Sequence, residues 1–132
     1  RNGVASGTLV GGHIGSLALL IGTDFMPSPK DTVLFIEADE SSSLEVFDRD
    51  LQSLIYSDFF KTVRGILIGR FSEKYHKLSI EALKKVIESK KIKIPVIANM
   101  DFGHTNPMIT IPIGGKCNLI SEKNCIVNFY IH

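Results

Sequence analysis

Three short apolar runs, Thr32–Glu37 (TVLFIE), Val63–Ile68 (VRGILI) and Pro95–Asn99 (PVIAN), alternate with two segments of helical periodicity. This alternation limits what the chain can fold into more than any other feature. A short β-rich run without polar alternation reads as a strand buried on both faces. The first intervening segment carries Leu44, Phe47, Leu51, Leu54 and Ile55 at the spacing of one helix face. The second, from about Ser79 to Lys90, carries Ile80, Leu83 and Ile87 in the same way. Ser42 with Glu45 three residues later forms a capping box that starts the first helix. Short connections of this kind force parallel pairing and right-handed crossovers.

Beyond Asn99 the pattern changes. Met108–Ile113, Lys116–Ile120 and Cys125–Ile131 read as strands with no helix between them, the last two joined by a hairpin turn at Ser121–Asn124. Val127, Phe129 and Ile131 alternate with polar or amphipathic neighbours, as in a half-buried strand. Ahead of the alternation, Gly3, Gly7, Gly11, Gly12, Gly15 and Gly22 surround a short apolar piece, Thr8–Val10, and a helix-like run, Leu17–Ile21. Glycine at that density lets the backbone turn tightly or approach another segment closely. Pro27 and Pro29 mark a loop. The expected fold class is α/β: a mixed sheet with a parallel βαβαβ core and C-terminal antiparallel strands, in one domain over residues 1–132.

Basic and acidic residues number 15 and 14, and the net charge of +1 leaves no footprint for a nucleic acid partner. No apolar run reaches the ~18–20 residues of a membrane span, so neither nucleic acid nor membrane is expected as a partner. Cys117 and Cys125 lack His or Cys neighbours at metal-site spacing, so no zinc is expected. The favoured reading of both is small residues in strands, with a cross-hairpin disulfide the lesser one. Because the chain begins at Arg1 without Met, it reads as part of something longer.

Open α/β sheets gather ligands at the carboxyl ends of their parallel strands. The first strand ends in Glu37, followed by Asp39 and Glu40; the second ends in Gly69 and Arg70; the third runs into Asp101, Gly103, His104 and Thr105. One sheet edge thus collects carboxylates, a guanidinium and an imidazole. A loop His has the pKa for proton transfer in both halves of an acyl transfer. A carboxylate at the end of a buried strand could orient that imidazole. Glu37 and Asp101 both compete for this role, and a solvated Glu and a solvated His are the plainer alternative. Arg70 could hold a substrate carboxylate, with a structural ion pair as the competing reading. Arg49, within FDRDL, is expected to pair with an acidic neighbour. Candidate nucleophiles are Ser6, Ser16, Ser28, Ser41, Ser42, Ser43 and Thr105, and none sits in a G-x-S-x-G elbow. Gly11-Gly12 before a short helix suggests an anion nest, but neither G-x-G-x-x-G nor the P-loop pattern is present.

Four blocks in order resemble the C-terminal domain of the LD-carboxypeptidase family, which includes the microcin-C self-immunity serine peptidases. They are GGHIGSLALLIGTDF (Gly11–Phe25), VLFIEADE (Val33–Glu40), VRGILIGRF (Val63–Phe71) and IPVIANMDFGHTNPMITIPIGG (Ile94–Gly115). With FDRDLQSL they cover almost the whole chain. The resemblance implies a swivelling β/β/α domain that supplies Glu37 and His104 as catalytic residues. The nucleophilic Ser would then lie in the protein's own N-terminal domain, outside this chain. It implies hydrolysis of a terminal amide in a small peptide-like substrate: the L,D-peptide bond of murein peptides or the linkage of a peptide–nucleotide antibiotic. No metal or other cofactor, a homodimer and a cytoplasmic location are expected with it. His13 stands where many relatives are expected to carry Asn, and it joins Arg70 and Asp101 as a candidate substrate-binding residue. The last block looks closer to the microcin-immunity branch. The alternative from another class is a non-catalytic α/β binding module.

Overall fold

The computed structural model describes residues 1–71 and 80–130. Six strands form one mixed sheet: β1 (Gly3–His13), β2 (Thr32–Glu37), β3 (Val63–Gly69), β4 (Val96–Met100), β5 (Lys116–Ser121) and β6 (Ile126–Tyr130). Their order across the sheet is β4-β3-β2-β1-β5-β6. β1 to β4 run parallel, and β5 and β6 are antiparallel to their neighbours. Three helices accompany them: α1 (Ile14–Ala18), α2 (Leu44–Tyr56) and α3 (Ile80–Ser89), with a 3-10 turn at Asp58–Thr62.

All six residues of β2 are buried, as a strand apolar throughout requires. Its alternate side chains enter two separate cores. Leu34 and Ile36, with Ile66 and Ile68 of β3, pack beneath the helices against Phe47, Leu51 and Leu54 of α2. Val33 and Phe35, with Leu67, point the other way onto Ala5, Leu9, Cys117 and Leu119. The cover on that second face is the sheet itself. The start of β1 and the end of β5 curl across to β4, where Val96 N–H donates to Arg1 O (3.2 Å) and the Ser121 hydroxyl donates to Val96 O (3.2 Å). The result is the expected swivelling β/β/α arrangement, with two β layers and one of helices.

Three expectations require correction. Of the two readings of the glycine-rich opening, close approach rather than tight turning holds for Gly3–His13: it forms β1, a strand not expected at that length, which pairs with both β2 and β5. The parallel core therefore has four strands rather than three. The reason lies in β1's closeness to β2: a Cβ on Gly11 would sit 1.7 Å from Phe35 O, and one on Gly7 2.8 Å from Asp31 O. Glycines interrupt the apolar residues of β1, so only the short piece Thr8–Val10 stands out as an apolar run. Second, 108–113 is extended but unpaired as a strand: Pro107 and Pro112 cannot donate to a ladder, and Ile109 N–H donates instead to Asp101 O (2.7 Å). Third, the cap of α2 is Ser43, which accepts from Val46 N–H (3.3 Å), whereas Ser42 is buried and donates to Asp39 (3.1 Å).

Smaller differences follow from position. Ile80 opens α3 and is exposed (57%), while Leu83 alone of its expected face is fully buried. Cys117 is buried in β5 opposite Phe129; Cys125 lies exposed in the turn before β6, and both are free. Burial pushes the Cys117 thiol up to about 11. Val127 and Phe129 pack inward as expected, whereas Ser79 and Ile131 lie outside the described residues. No helix among the described residues is long and apolar enough to cross a membrane.

Gly11 and Gly12 share nearly the same φ (154° and 156°), but a Cβ on Gly12 meets nothing within 4 Å. Substituting each by Ala therefore separates backbone strain from collision. Gly11→Ala is expected to cost at least ~3 kcal/mol more than Gly12→Ala, since Phe35 O is backbone and cannot move aside. Urea denaturation of both variants checks this.

Candidate active site

The parallel pairing brings four strand ends to one edge. His13 lies opposite Glu37 in the β1–β2 register, and Gly69 opposite Met100 in β3–β4. Glu37 follows the pleat of β2, so it shares the side of Val33 and Phe35 rather than that of the helices. It is buried, at 8% exposure. After β4 the chain enters a loop from Asp101 to Ile109 that carries His104. Phe102 anchors the loop in the core, edge-on to Phe35 at 5.8 Å.

There His104 Nδ1 meets Glu37 Oε2 at 2.6 Å. An ionised carboxylate is purely an acceptor, so Nδ1 carries the proton and donates, and Nε2 is left with its lone pair. The His104 side chain is 54% exposed and the Glu37 side chain 11%, so the pair has a fixed inner end and an open outer one. The Glu37 hydrogen bond, and then its charge, raise the His104 pKa above the ordinary value; Asp39 and Glu40 add to this and partial burial opposes it.

Two glycines shape the space around the carboxylate. Gly103 has φ +88°, and a Cβ there would lie 2.7 Å from both Cβ and Oε2 of Glu37. One on Gly69 would lie 2.7 Å from Phe102 O and 3.0 Å from Glu37 Cβ. The sequence marked both as neighbours of a chemical group, but their function as its walls needed the tertiary contact.

Asp39 does not reach the imidazole. It closes its own turn, with Oδ1 accepting from Ser41 N–H (2.9 Å), Ser41 Oγ (2.7 Å) and Ser42 Oγ (3.1 Å). The Ser41 hydroxyl is the largest of the causes that hold its pKa down at about 2, with Ser41 N–H, Ser42 and His13 adding and desolvation opposing. His13 caps α1, its Nδ1 accepting from Ser16 N–H (3.3 Å). That bond leaves the proton on Nε2, a buried atom with no hydrogen-bond partner among the described residues. The His13 ring stands edge-on to His104, centroids 6.4 Å apart.

Arg70 and Asp101 are taken up with each other, Nη2 to Oδ1 at 2.9 Å. Of the two carboxylates that competed for the imidazole, the structure thus brings Glu37 to His104 and turns Asp101 to Arg70. Arg49 pairs with Asp50 (2.9 Å), a buried acid that the sequence did not single out. Ser6 donates to Asn118, Ser41 and Ser42 bond to Asp39, and Ser43 caps α2. The Ser16 hydroxyl lies 3.4 Å from His13 Nδ1, where its own N–H competes for the lone pair. Among the described residues no three His, Cys, Asp or Glu side chains form a metal site.

The described residues thus form a β/β/α domain with a hydrogen-bonded Glu–His pair at the open edge of its parallel strands, an arrangement chemically able to accept and pass on a proton. The chain belongs to the LD-carboxypeptidase family, matching the model of its C-terminal domain over residues 6–119. It is 49% identical over 121 residues to the putative carboxypeptidase YocD of Bacillus subtilis, spanning 90% of this chain and 37% of that protein. The structure resembles that of an MccF-like protein from Bacillus anthracis (TM-score 0.92, 42% identity, all of this chain and 42% of that one). It also resembles muramoyltetrapeptide carboxypeptidase from Oxalobacter formigenes (TM-score 0.80, 29% identity, 96% of this chain and 46% of that one). The chain thus spans well under half the length of these proteins.

Because Glu37 raises the His104 pKa, the pair's linked contribution to stability is complete below the unfolded value of ~6.5 and is lost as pH rises through the folded value. Histidine NMR should show His104 titrating above ~6.5 in the wild type and falling toward it in Glu37→Gln. An unmoved midpoint would remove Glu37 as the cause.

Proposed function

We propose that this chain is the C-terminal, Glu–His half of a serine carboxypeptidase, with the nucleophilic Ser carried on an N-terminal domain. The contact between His104 Nδ1 and Glu37 Oε2 at 2.6 Å is the observation that supports this most directly. The short span of the chain relative to its relatives is in keeping with a further domain.

In the reaction, His104 Nε2 takes the proton from the Ser hydroxyl as Ser Oγ bonds to the scissile carbonyl carbon. The imidazolium gives that proton to the leaving amine as the C–N bond breaks. Water then attacks the acyl-enzyme, loses a proton to Nε2, and the Ser regains its proton from the imidazolium as the acyl group leaves as an acid. Glu37 holds the tautomer that points the lone pair outward and offsets the imidazolium charge. Neutral His104 is the active form, so the acid limb of the rate profile follows its raised pKa.

The substrate in this reading is a small peptide-like molecule with a terminal amide, a murein peptide or a peptide–nucleotide conjugate. Both classes find support among the relatives, since one is named a muramoyltetrapeptide carboxypeptidase and MccF has been solved in complex with aspartyl sulfamoyl adenosine. His13 is assigned to the substrate side, because its ring stands edge-on to His104 with centroids 6.4 Å apart, while its Nε2 faces Asp39 Oδ1 at 3.9 Å. A homodimer and a cytoplasmic location are proposed with the family reading.

In the full-length enzyme, His104→Ala should reduce turnover to background. Glu37→Gln should lower kcat by about 10²–10⁴-fold with substrate affinity nearly unchanged. Steady-state kinetics and ligand titration check both, and wild-type rates in either variant would overturn the assignment. Substantial hydrolysis by the 132-residue chain alone would refute the division of labour between the two domains.

A further inference from the structure

Arg70 does more than pair with a carboxylate. Its Nη2 donates at both ends of the loop that carries His104: to Asp101 Oδ1 (2.9 Å) and to Pro107 O (3.3 Å). Its own backbone N–H donates to Met100 O (2.7 Å), so the residue is fixed to the last strand position before the loop. Between these ends the loop closes on itself through Ile109 N–H to Asp101 O (2.7 Å). Arg70 therefore reaches from the end of β3 across the mouth of a loop whose middle, at His104, is held by Glu37.

We propose that Arg70 is a positioning residue: it clamps the two ends of the 101–109 loop and holds Asp101 on itself, so that His104 stays on Glu37. The inference rests on the catalytic reading of His104 given above. Two observations set it apart from the expectation that Arg70 binds substrate. Nη2 already serves two acceptors of the loop, and Nε is buried with no partner among the described residues, so these two nitrogens face the loop and the protein interior. A rigid loop matters because a displacement of ~1 Å in a catalytic base can cost about 10²-fold in rate.

The test uses Arg70→Met, Arg70→Lys and Asp101→Asn in the full-length enzyme, with three readouts: steady-state kinetics, histidine NMR of His104, and hydrogen exchange at the Ile109 amide. His104 is surrounded by Glu37, Asp39, Glu40 and the His13 ring, none of which these substitutions remove. The expected result for Arg70→Met is a fall in kcat of about 10–10²-fold with KM within about twofold. The His104 titration midpoint should move, and the Ile109 amide should exchange at least about tenfold faster. Arg70→Lys, which keeps a donor but cannot bridge both ends, should fall between, and Asp101→Asn should move the titration in step with Arg70→Met. A KM raised tenfold with kcat and the titration unchanged would overturn the proposal in favour of substrate binding. Unchanged kcat and titration with a lowered Tm alone would overturn it in favour of a purely structural ion pair. The NMR and exchange readouts need no turnover, so they report on the clamp even if His104→Ala shows the catalytic reading to be wrong.

Discussion

Strand β2 is apolar through four positions, Val33 to Ile36, and ends in a buried carboxylate, and this places two demands on everything around it. A strand with no wet face needs cover on both sides. The helices supply one layer, and the sheet supplies the other by curling β1 and β5 over its own back. The buried acid at its end then needs a partner, because a carboxylate stripped of water without one is costly. His104 is that partner. The fold and the candidate site are thus two answers to the same strand.

Glycine enables both answers. At Gly11 the absence of a side chain lets β1 approach β2 closely enough to pair along its length. At Gly69 and Gly103 it leaves room for Glu37 to lie flat beneath the loop. The backbone is bare where it must pass closest, at Gly7 and Gly11 in the sheet and at Gly69 and Gly103 at the site. The imidazole gains a fixed inner end on Glu37 and an outer end left open at the edge of the sheet. The relatives that the chain matches in the LD-carboxypeptidase family are more than twice as long.

The alternation of β2, α2, β3, α3 and β4 was legible because side-chain periodicity is a local property, visible wherever side chains decide the packing. The strand ends could be assembled into an edge by the rule for parallel sheets alone, which brought Glu37, Arg70, Asp101 and His104 near one another. The motif blocks that carry the family resemblance then singled out Glu37 and His104. Three features escaped. β1 is interrupted by four glycines, so its apolar signal shrinks to the short piece Thr8–Val10. The 108–113 arm has the composition of a strand, but its prolines forbid a ladder. The start of α2 moved by one residue because Asp39 draws Ser42 into its own turn, and a capping pattern cannot weigh that competition.

By itself, then, the sequence determined the α/β class, the parallel core, the edge where chemistry collects and the family. Each of these follows from residue type and order along the chain. The tertiary structure decided which carboxylate meets the imidazole. Strand order and spacing left Glu37 and Asp101 as competitors, with the motif blocks favouring Glu37, and the difference between them is one of direction. The pleat of β2 points Glu37 at the loop, while Arg70, arriving from the neighbouring strand, turns Asp101 away. Direction is a property of packed neighbours, so no reading of spacing could have supplied it.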